Sequence, residues 1–133
     1  SILAQRLCEH PELTAIFASN DFLAIAVQKA ANLMGWHVPQ DLSVVGFDGI
    51  EVGRLLDRPL ATIETTPEAM GRQAAQTLLV GLQGGEMAKL TPLPFTFRVG
   101  ATLSTPRTKS PDDDRGAAQS PSVPPFTSNV KQG

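Results

Sequence analysis

The sequence predicts an α/β domain built around a parallel sheet. Short apolar runs of strand length alternate with longer segments in which apolar residues recur every three or four positions, as they do on one face of a helix. Of the 133 residues, 41% are hydrophobic and 18% are charged, which is typical of one ordinary globular domain. Strands that alternate with helices in this way form parallel sheets with helices packed against them.

The first half of the chain contains two predicted helices and two predicted strands: a helix at 2–9, a strand at 14–18, a helix at 22–34 and a strand at 42–47. Apolar residues define the expected inner faces of the helices, which are Ile2, Leu3, Leu7 and Cys8 in the first and Leu23, Ala26, Val27, Ala30, Leu33 and Met34 in the second. His10-Pro11 ends the first helix, and Gly35 stands where a C′ glycine belongs. Both strands are expected to be buried, and the second follows a turn at 39–41.

The second half contains a predicted short helix at 51–56, a strand at 60–64, a helix at 67–82 and a last strand at 94–99. The long helix begins at Thr65-Thr66-Pro67-Glu68, which supplies a threonine cap, a first-turn proline and a capping-box acid. Gly84-Gly85 closes it. We expect this helix to bury its apolar residues, which are Met70, Ala74, Ala75, Leu78, Leu79 and Leu82.

The composition changes near Thr105. Five prolines lie beyond it among Ser, Thr, Asp and Lys: Pro106, Pro111, Pro121, Pro124 and Pro125. A segment with so little to bury cannot offset its ordering entropy, so we predict a domain at 1–104 and a disordered tail at 105–133. A proline-rich recognition segment is the functional alternative, but no clear PxxP signature supports it.

Composition and motifs argue against several function classes. The net charge is −2 and no basic patch is visible, so nothing in the chain suggests a nucleic-acid surface. Cys8 is the only cysteine, which excludes an intramolecular disulfide and a thiolate cluster and fits a reducing cytoplasm. No apolar run could cross a bilayer, and no signal-peptide pattern is present. The motifs GxSxG, HExxH and GxGxxG are absent, so no enzyme, metal site or cofactor is expected.

Polar residues follow the first two predicted strands. Ligands of parallel sheets bind at the carboxyl ends of strands, which here are Ser19-Asn20-Asp21 and Asp48-Gly49. The Asn20 amide donates and accepts, whereas the Asp48 carboxylate only accepts. The pair suits a neutral polyhydroxylated ligand or the polar edge of a nucleobase. The alternatives are a helix cap for Asn20 and a turn aspartate for Asp48, while Asp21 is expected to be a cap or first-turn acid.

Two stretches carry a family resemblance. Residues 15–50 (AIFASNDFLAIAVQKAANLMGWHVPQDLSVVGFDGI) and 59–79 (PLATIETTPEAMGRQAAQTLL) closely resemble the LacI/GalR family of transcriptional regulators. The run VPQDLSVVGFD at 38–48 is highly specific, and the resemblance covers about residues 3–104. It implies a periplasmic-binding-protein type I-like α/β fold, of which this chain would be the C-terminal portion only. Since the chain begins at Ser1, we expect a fragment without its helix-turn-helix.

The resemblance also implies roles for particular residues. Asn20 and Asp48 match positions that hydrogen-bond the effector, and Phe47 matches an aromatic residue that lines the pocket. Thr65 lies where the chain crosses between subdomains, at a position that is commonly glutamine. Gly49 replaces a frequent aspartate and leaves the effector's identity open.

Packing roles follow as well. The helix at 67–82 would pack in the N-terminal subdomain, and the strand near Phe95 would return to the C-terminal one. The segments 22–34 and 51–58 would lie near a dimer interface. Leu23 and Val27 are therefore interface candidates, with core packing as the alternative.

The implied function is the effector-sensing portion of a cytoplasmic LacI/GalR-type regulator. Its partners would be a small sugar-like effector (a sugar, polyol or nucleoside), a second copy of the intact protein, and DNA through a helix-turn-helix absent from this chain. A periplasmic sugar-binding receptor is the alternative, because such receptors share the fold and the Asn-Asp and Gly-Phe-Asp corners. They usually lack the Pro39 to Ser43 pattern, which favours a regulator.

Overall fold

The computed structural model describes residues 2–86 and 92–108. In chain order its elements are α1 (Ile2–Glu9), β1 (Ala15–Phe17), α2 (Asp21–Leu33), β2 (Ser43–Asp48), a 3-10 helix (Glu51–Arg54), β3 (Ala61–Glu64), α3 (Pro67–Leu82) and β4 (Thr96–Arg98). These elements have the predicted order and lie close to the predicted bounds. No helix in the described ranges has the length and apolar character needed to span a membrane.

The strands form one sheet in the order β1-β2-β3-β4. β2 pairs in parallel with both β1 and β3, with Phe17 opposite Val45 and Asp48 opposite Glu64. β4 is antiparallel to β3, with Phe97 opposite Ile63. The predicted α/β class is therefore confirmed, and the departure from an all-parallel sheet is confined to the last strand.

The core lies between α2 and the sheet. Leu42, Val44 and Leu60 are fully buried beneath the helix residues Ala24, Val27 and Ala31. Because alanines line most of this face, α2 approaches the strands closely. The expected face was partly wrong: Val27 and Ala30 are buried, but Ala26 is exposed, Leu23 is 40% exposed and Leu33 is 71% exposed.

Two other predicted burials were wrong near the amino terminus. In α1, Leu7 is buried and Leu3 partly so, whereas Ile2 and Cys8 are exposed. In β1, which was expected to be a buried strand, Phe17 is 62% exposed. β1 is the edge strand of the sheet, so neighbours cover it less than they cover β2.

The α3 prediction was right about the helix and wrong about its packing. None of its residues is buried, including the six apolar ones expected inside, because no other described element covers that face. Its first turn also differs from the expected capping box: Thr66 is the N-cap, without a side-chain hydrogen bond. Gly84, at φ 79°, follows the helix as predicted.

The segment after β4 closes the amino ends of β2 and β3. The backbone N–H of Val44 donates to the Thr102 carbonyl at 2.8 Å, and the Ala61 N–H donates to Thr102 Oγ1 at 2.9 Å. Further on, Arg107 Nε donates to the Asp41 carbonyl at 2.8 Å. The described part of the predicted tail therefore contacts the domain, and residues 109–133 lie outside the described residues.

Candidate functional site

Three of the four predicted site residues lie along one edge of the sheet. β1, β2 and β3 are parallel, so their carboxyl ends share that edge. Asn20 follows β1, Asp48 ends β2, and Thr65 follows β3. Ligands of such sheets bind outside the carboxyl ends of strands, which makes this edge the candidate site.

Asn20 caps α2. Its backbone is extended (φ −154°, ψ 167°), and its Oδ1 accepts a hydrogen bond from the Leu23 N–H at 2.8 Å. The cap that we considered as the alternative for Asn20 is therefore confirmed. This cap uses the amide oxygen, and Nδ2 has no hydrogen-bond partner among the described residues, so Nδ2 could donate a hydrogen bond to a ligand acceptor.

Asp48 carries an exposed carboxylate on a tightly constrained backbone. Its φ is 109°, a left-handed value that costs about 1–3 kcal/mol in a residue other than glycine. The Asp48 carbonyl accepts from the Thr65 N–H at 3.3 Å and from Thr65 Oγ1 at 3.4 Å. Asp48 is the last residue of β2 and directly precedes the change of direction at Gly49, so the turn alternative agrees with its position. The Asp48 side chain is exposed, and a ligand hydroxyl could donate to its carboxylate.

Gly49 is required by this turn. Its φ is 80°, and an added Cβ would lie 2.8 Å from Glu64 Cα on the neighbouring strand. The glycine therefore lets the turn after β2 pack directly on the end of β3. A side chain at this position would push the two strand ends apart.

Phe47 and Thr65 line a common cleft of about 220 Å³ at the same edge. The other lining residues are mostly apolar: Ile63, Thr66, Met70, Leu93, Pro94 and Phe95. Asn20 and Asp48 are not among them. The structure thus brings Phe47 and Thr65 together in one cleft, whereas Asn20 and Asp48 lie at the same edge of the sheet outside its lining. At this volume the cleft is smaller than a typical complete ligand site.

Charges near the edge are paired with one another. Glu64 Oε1 accepts from Arg98 Nη1 at 2.8 Å and from Arg54 Nη2 at 2.5 Å. These pairs tie the 3-10 helix and β4 to the end of β3. Within 2–86 and 92–108, no group of three or more His, Cys, Asp or Glu side chains could hold a metal ion.

Asp21 is the residue whose importance the sequence did not reveal. Its prediction as a first-turn acid is confirmed. It is also fully buried, and its carboxylate accepts from Thr62 Oγ1 and from the Ile50 N–H. Thr62 lies 41 positions away in sequence, so no local pattern could have indicated this contact.

The two interface candidates, Leu23 and Val27, have different environments. Val27 is 2% exposed and belongs to the core, which was the alternative to an interface role. Leu23 remains accessible. Other exposed apolar side chains are Phe22, next to it on α2, and Val52 and Leu55 in and after the 3-10 helix.

The chain has a mainly parallel sheet with helices against it, and its carboxyl edge carries polar groups and a cleft. This arrangement is typical of α/β domains that bind small ligands. The chain belongs to the periplasmic binding protein-like domain family, whose model matches residues 2–103, and within it to the LacI/GalR effector-binding type.

The relatives support this placement. The HTH-type transcriptional regulator GntR of Escherichia coli strain K12 is 31% identical over 103 residues, covering 77% of this chain and 31% of that protein. A LacI family transcriptional regulator from Arthrobacter sp. FB24, solved with lactose, is 34% identical with a TM-score of 0.64, covering 77% of this chain and 40% of that one. The lac repressor dimer bound to operator is 27% identical with a TM-score of 0.68, covering 75% and 35%.

GntR and two further relatives, a ribose operon repressor and the transcriptional repressor CytR, are transcriptional regulators, so the alternative of a periplasmic receptor is not favoured. The chain spans about a third of the length of GntR and of the lac repressor chain.

Proposed function

We propose that this chain is the effector-sensing part of a transcriptional regulator, in which a small sugar-like ligand at the carboxyl edge of the sheet controls operator binding. The observation that carries the proposal is the convergence of Asn20, Asp48 and Thr65 on that edge, with the Asp48 carboxylate exposed. A sugar, polyol or nucleoside presents hydroxyls to such groups. The lactose bound by the Arthrobacter relative is a ligand of this chemistry.

The ligand would contact two kinds of surface. Asp48 and the Nδ2 group of Asn20 supply an acceptor and a donor for hydroxyls. Phe47 contributes an apolar wall beside them, with the Thr65 hydroxyl at the crossing to α3. The apolar faces of a sugar or nucleobase ring pack favourably on such a wall.

The effector would control DNA binding by changing how the subdomains are arranged. After the site, the chain passes through Thr65 into α3. The apolar face of α3 is exposed among the described residues, and another subdomain would cover it in the complete protein. A ligand that contacts both subdomains binds one arrangement better and so shifts the population toward it. The DNA-binding helix-turn-helix would belong to the complete protein, acting in the cytoplasm. Residues 1–104 would form the sensor, and the tail from 105 would begin with a segment that Arg107 holds against the sensor.

The test is ligand binding by the complete protein. Lactose, ribose, cellobiose and a nucleoside are added separately, and the melting temperature and operator affinity are measured. At least one ligand should raise the melting temperature and change operator affinity in the same concentration range. If no compound of this class does either, or if the protein binds no DNA, the proposal is wrong.

Asp48→Ala should weaken effector binding by about 1–3 kcal/mol, which is about 5- to 150-fold in Kd, because a ligand hydroxyl loses its charged acceptor. Isothermal titration calorimetry on the complete protein measures the change. Asp57→Ala, in the exposed turn after the 3-10 helix, is the matched control and should bind as wild type does. Wild-type affinity in Asp48→Ala would remove Asp48 from the site.

We also propose that the exposed apolar residues Phe22, Leu23, Val52 and Leu55 form part of a homodimer interface. The Ile50 N–H bond to Asp21 links the residue before the 3-10 helix to the first turn of α2, and all four side chains are exposed on these two segments. Val52→Asp should therefore shift the complete protein from dimer to monomer in analytical ultracentrifugation, because a buried unpaired charge is costly. Leu33→Asp, at the far end of α2, should leave the dimer intact; equal effects of both variants would contradict this surface.

A further inference from the structure

A buried carboxylate lies immediately behind the candidate site. Asp21 is 0% exposed, and its two oxygens have different partners. Oδ1 accepts from Thr62 Oγ1 at 2.5 Å, and Oδ2 accepts from the backbone N–H of Ile50 at 2.7 Å. A buried charge is stable only when it is hydrogen-bonded, so the Asp21 carboxylate depends on these two hydrogen bonds to remain buried. Asp21 cannot touch a ligand in the site.

Gly46 makes this position possible. A Cβ on residue 46 would overlap Asp21 Oδ1 and would lie 3.2 Å from Asp21 Cα. The first turn of α2 therefore rests directly on the backbone of β2, two residues before Asp48. This close approach brings the Asp21 carboxylate within reach of Ile50, which lies two residues after Asp48.

The turn between these contacts is conformationally costly. Asp48 and Gly49 have consecutive positive φ values of 109° and 80°. Strain of this kind persists only when the surroundings hold the backbone in place. On one side, Thr65 donates to the Asp48 carbonyl; on the other, Asp21 accepts from Ile50. The strained turn is held from both ends, and Asp48 is its first residue.

We propose that Asp21 is a positioning residue for the effector site: through the Ile50 N–H it holds the Asp48-Gly49 turn, and with it the Asp48 carboxylate. The part that concerns the effector rests on the proposed function. The part that concerns the turn does not, because the Ile50 hydrogen bond can be measured without a ligand.

Three variants separate the two contacts of Asp21. Asp21→Ala removes both acceptors. Thr62→Val removes only the hydroxyl donor and keeps the side-chain shape. Asp21→Asn can keep its oxygen on the Ile50 N–H while its amide donates to Thr62 Oγ1, whose proton can turn toward the Ile63 carbonyl at 3.5 Å. If Asp21 only stabilises the fold, effector affinity should fall across the three variants in proportion to their loss of stability. If Asp21 is a positioning residue, affinity should fall only in the variant that loses the Ile50 hydrogen bond.

The first measurement is hydrogen–deuterium exchange at the Ile50 amide in the complete protein. Exchange should accelerate about tenfold or more in Asp21→Ala and change little in Thr62→Val and Asp21→Asn, whatever their melting temperatures. If Ile50 stays protected in a folded Asp21→Ala protein, Asp21 does not hold the turn and the proposal is wrong. It is equally wrong if Thr62→Val exposes Ile50 as much as Asp21→Ala does.

The second measurement is affinity for lactose, ribose and cellobiose as probes. Asp21→Ala should lose about tenfold in affinity for a probe that binds wild type, and the loss should vanish when Asp48 is already alanine. Additive losses in the double variant would show that Asp21 acts elsewhere. If wild type binds no probe, the proposed function loses support, while Ile50 exchange still decides whether Asp21 holds the turn.

A second route avoids the risk that Asp21→Ala fails to fold. Ile50 has φ −60°, which proline adopts without strain, so Ile50→Pro removes the N–H donor and leaves Asp21 and Thr62 in place. The ring also restricts the conformation of Gly49, the residue before it, so the decisive result in this variant is an unchanged affinity. Probe affinity should fall severalfold in this variant and stay near wild type in Ile50→Val. Unchanged affinity in Ile50→Pro would overturn the proposal.

Discussion

Replacing Gly46 with alanine is expected to destabilise the protein by about 3 kcal/mol or more. The new Cβ would overlap Asp21 Oδ1 and would lie 3.0 Å from Leu60 Cδ2. Neither neighbour can retreat easily, because two hydrogen bonds hold Asp21 and Leu60 is fully buried. The helix must therefore move off the strand, which disturbs the core and the Asp48 turn together.

Urea denaturation of the complete protein, followed by circular dichroism, measures this loss. Lys29→Ala is the control, since Lys29 is exposed on the same helix, α2. It should change stability by no more than about 0.5 kcal/mol, because a surface substitution removes no buried contact. A loss in Gly46→Ala as small as that of Lys29→Ala would mean that α2 can move away from β2 at little cost.

Arg107→Ala is expected to cost about 2–4 kcal/mol of stability. The guanidinium donates to the carbonyls of Asp41 at 2.8 Å, Leu13 at 2.9 Å and Pro11 at 2.5 Å. It also lies over the Trp36 ring, 5.7 Å from the centroid. One side chain therefore joins the loops that precede β1 and β2 to the end of the domain, and its removal leaves charge-assisted bonds unmade.

Arg107→Lys separates charge from geometry, because an ammonium cannot reproduce the planar fork that reaches several carbonyls at once. It should lose most of what alanine loses, whereas Arg58→Ala in an exposed turn should have little effect. Truncation gives an independent measure: ending the protein after Thr108 should preserve its melting temperature, and ending it after Ser104 should lower it. If both truncations melt alike, the domain ends at residue 104 as the composition suggests.

Much of the fold could be predicted because its signals are local. Apolar runs of strand length located β2 and β3 to within about a residue, and the glycine after α2 adopts the predicted left-handed conformation at φ 73°. The site edge also followed from the pattern, since polar residues after parallel strands share one edge. The helix cap at Asn20 was the alternative to a ligand contact, and only the structure showed that its amide oxygen makes this cap.

Apart from the capping box of α3, the wrong predictions concerned what covers a residue. The apolar face of α3 was expected to be buried, but burial requires a partner, and none of the other described residues covers that face. In α2 the pattern predicted that Leu33 is buried, but Leu33 is exposed. The buried face of this helix begins with Asp21 and continues through Ala24, Val27 and Ala31. Apolar periodicity defines a stripe on a helix, whereas neighbours determine which part of it faces inward.

The sequence by itself determined the α/β class and the order of the elements, and it predicted the edge proposed for the ligand. These follow from local periodicity and from residues close together in the chain, whereas the family followed from the resemblance carried by residues 15–50 and 59–79. Only the tertiary structure decided that Asp21 joins Ile50 and Thr62, that Gly46 allows this approach, and that Arg107 closes the opposite end. Such contacts depend on how distant segments pack, and a hydrogen bond across 41 positions leaves no periodic trace in a sequence.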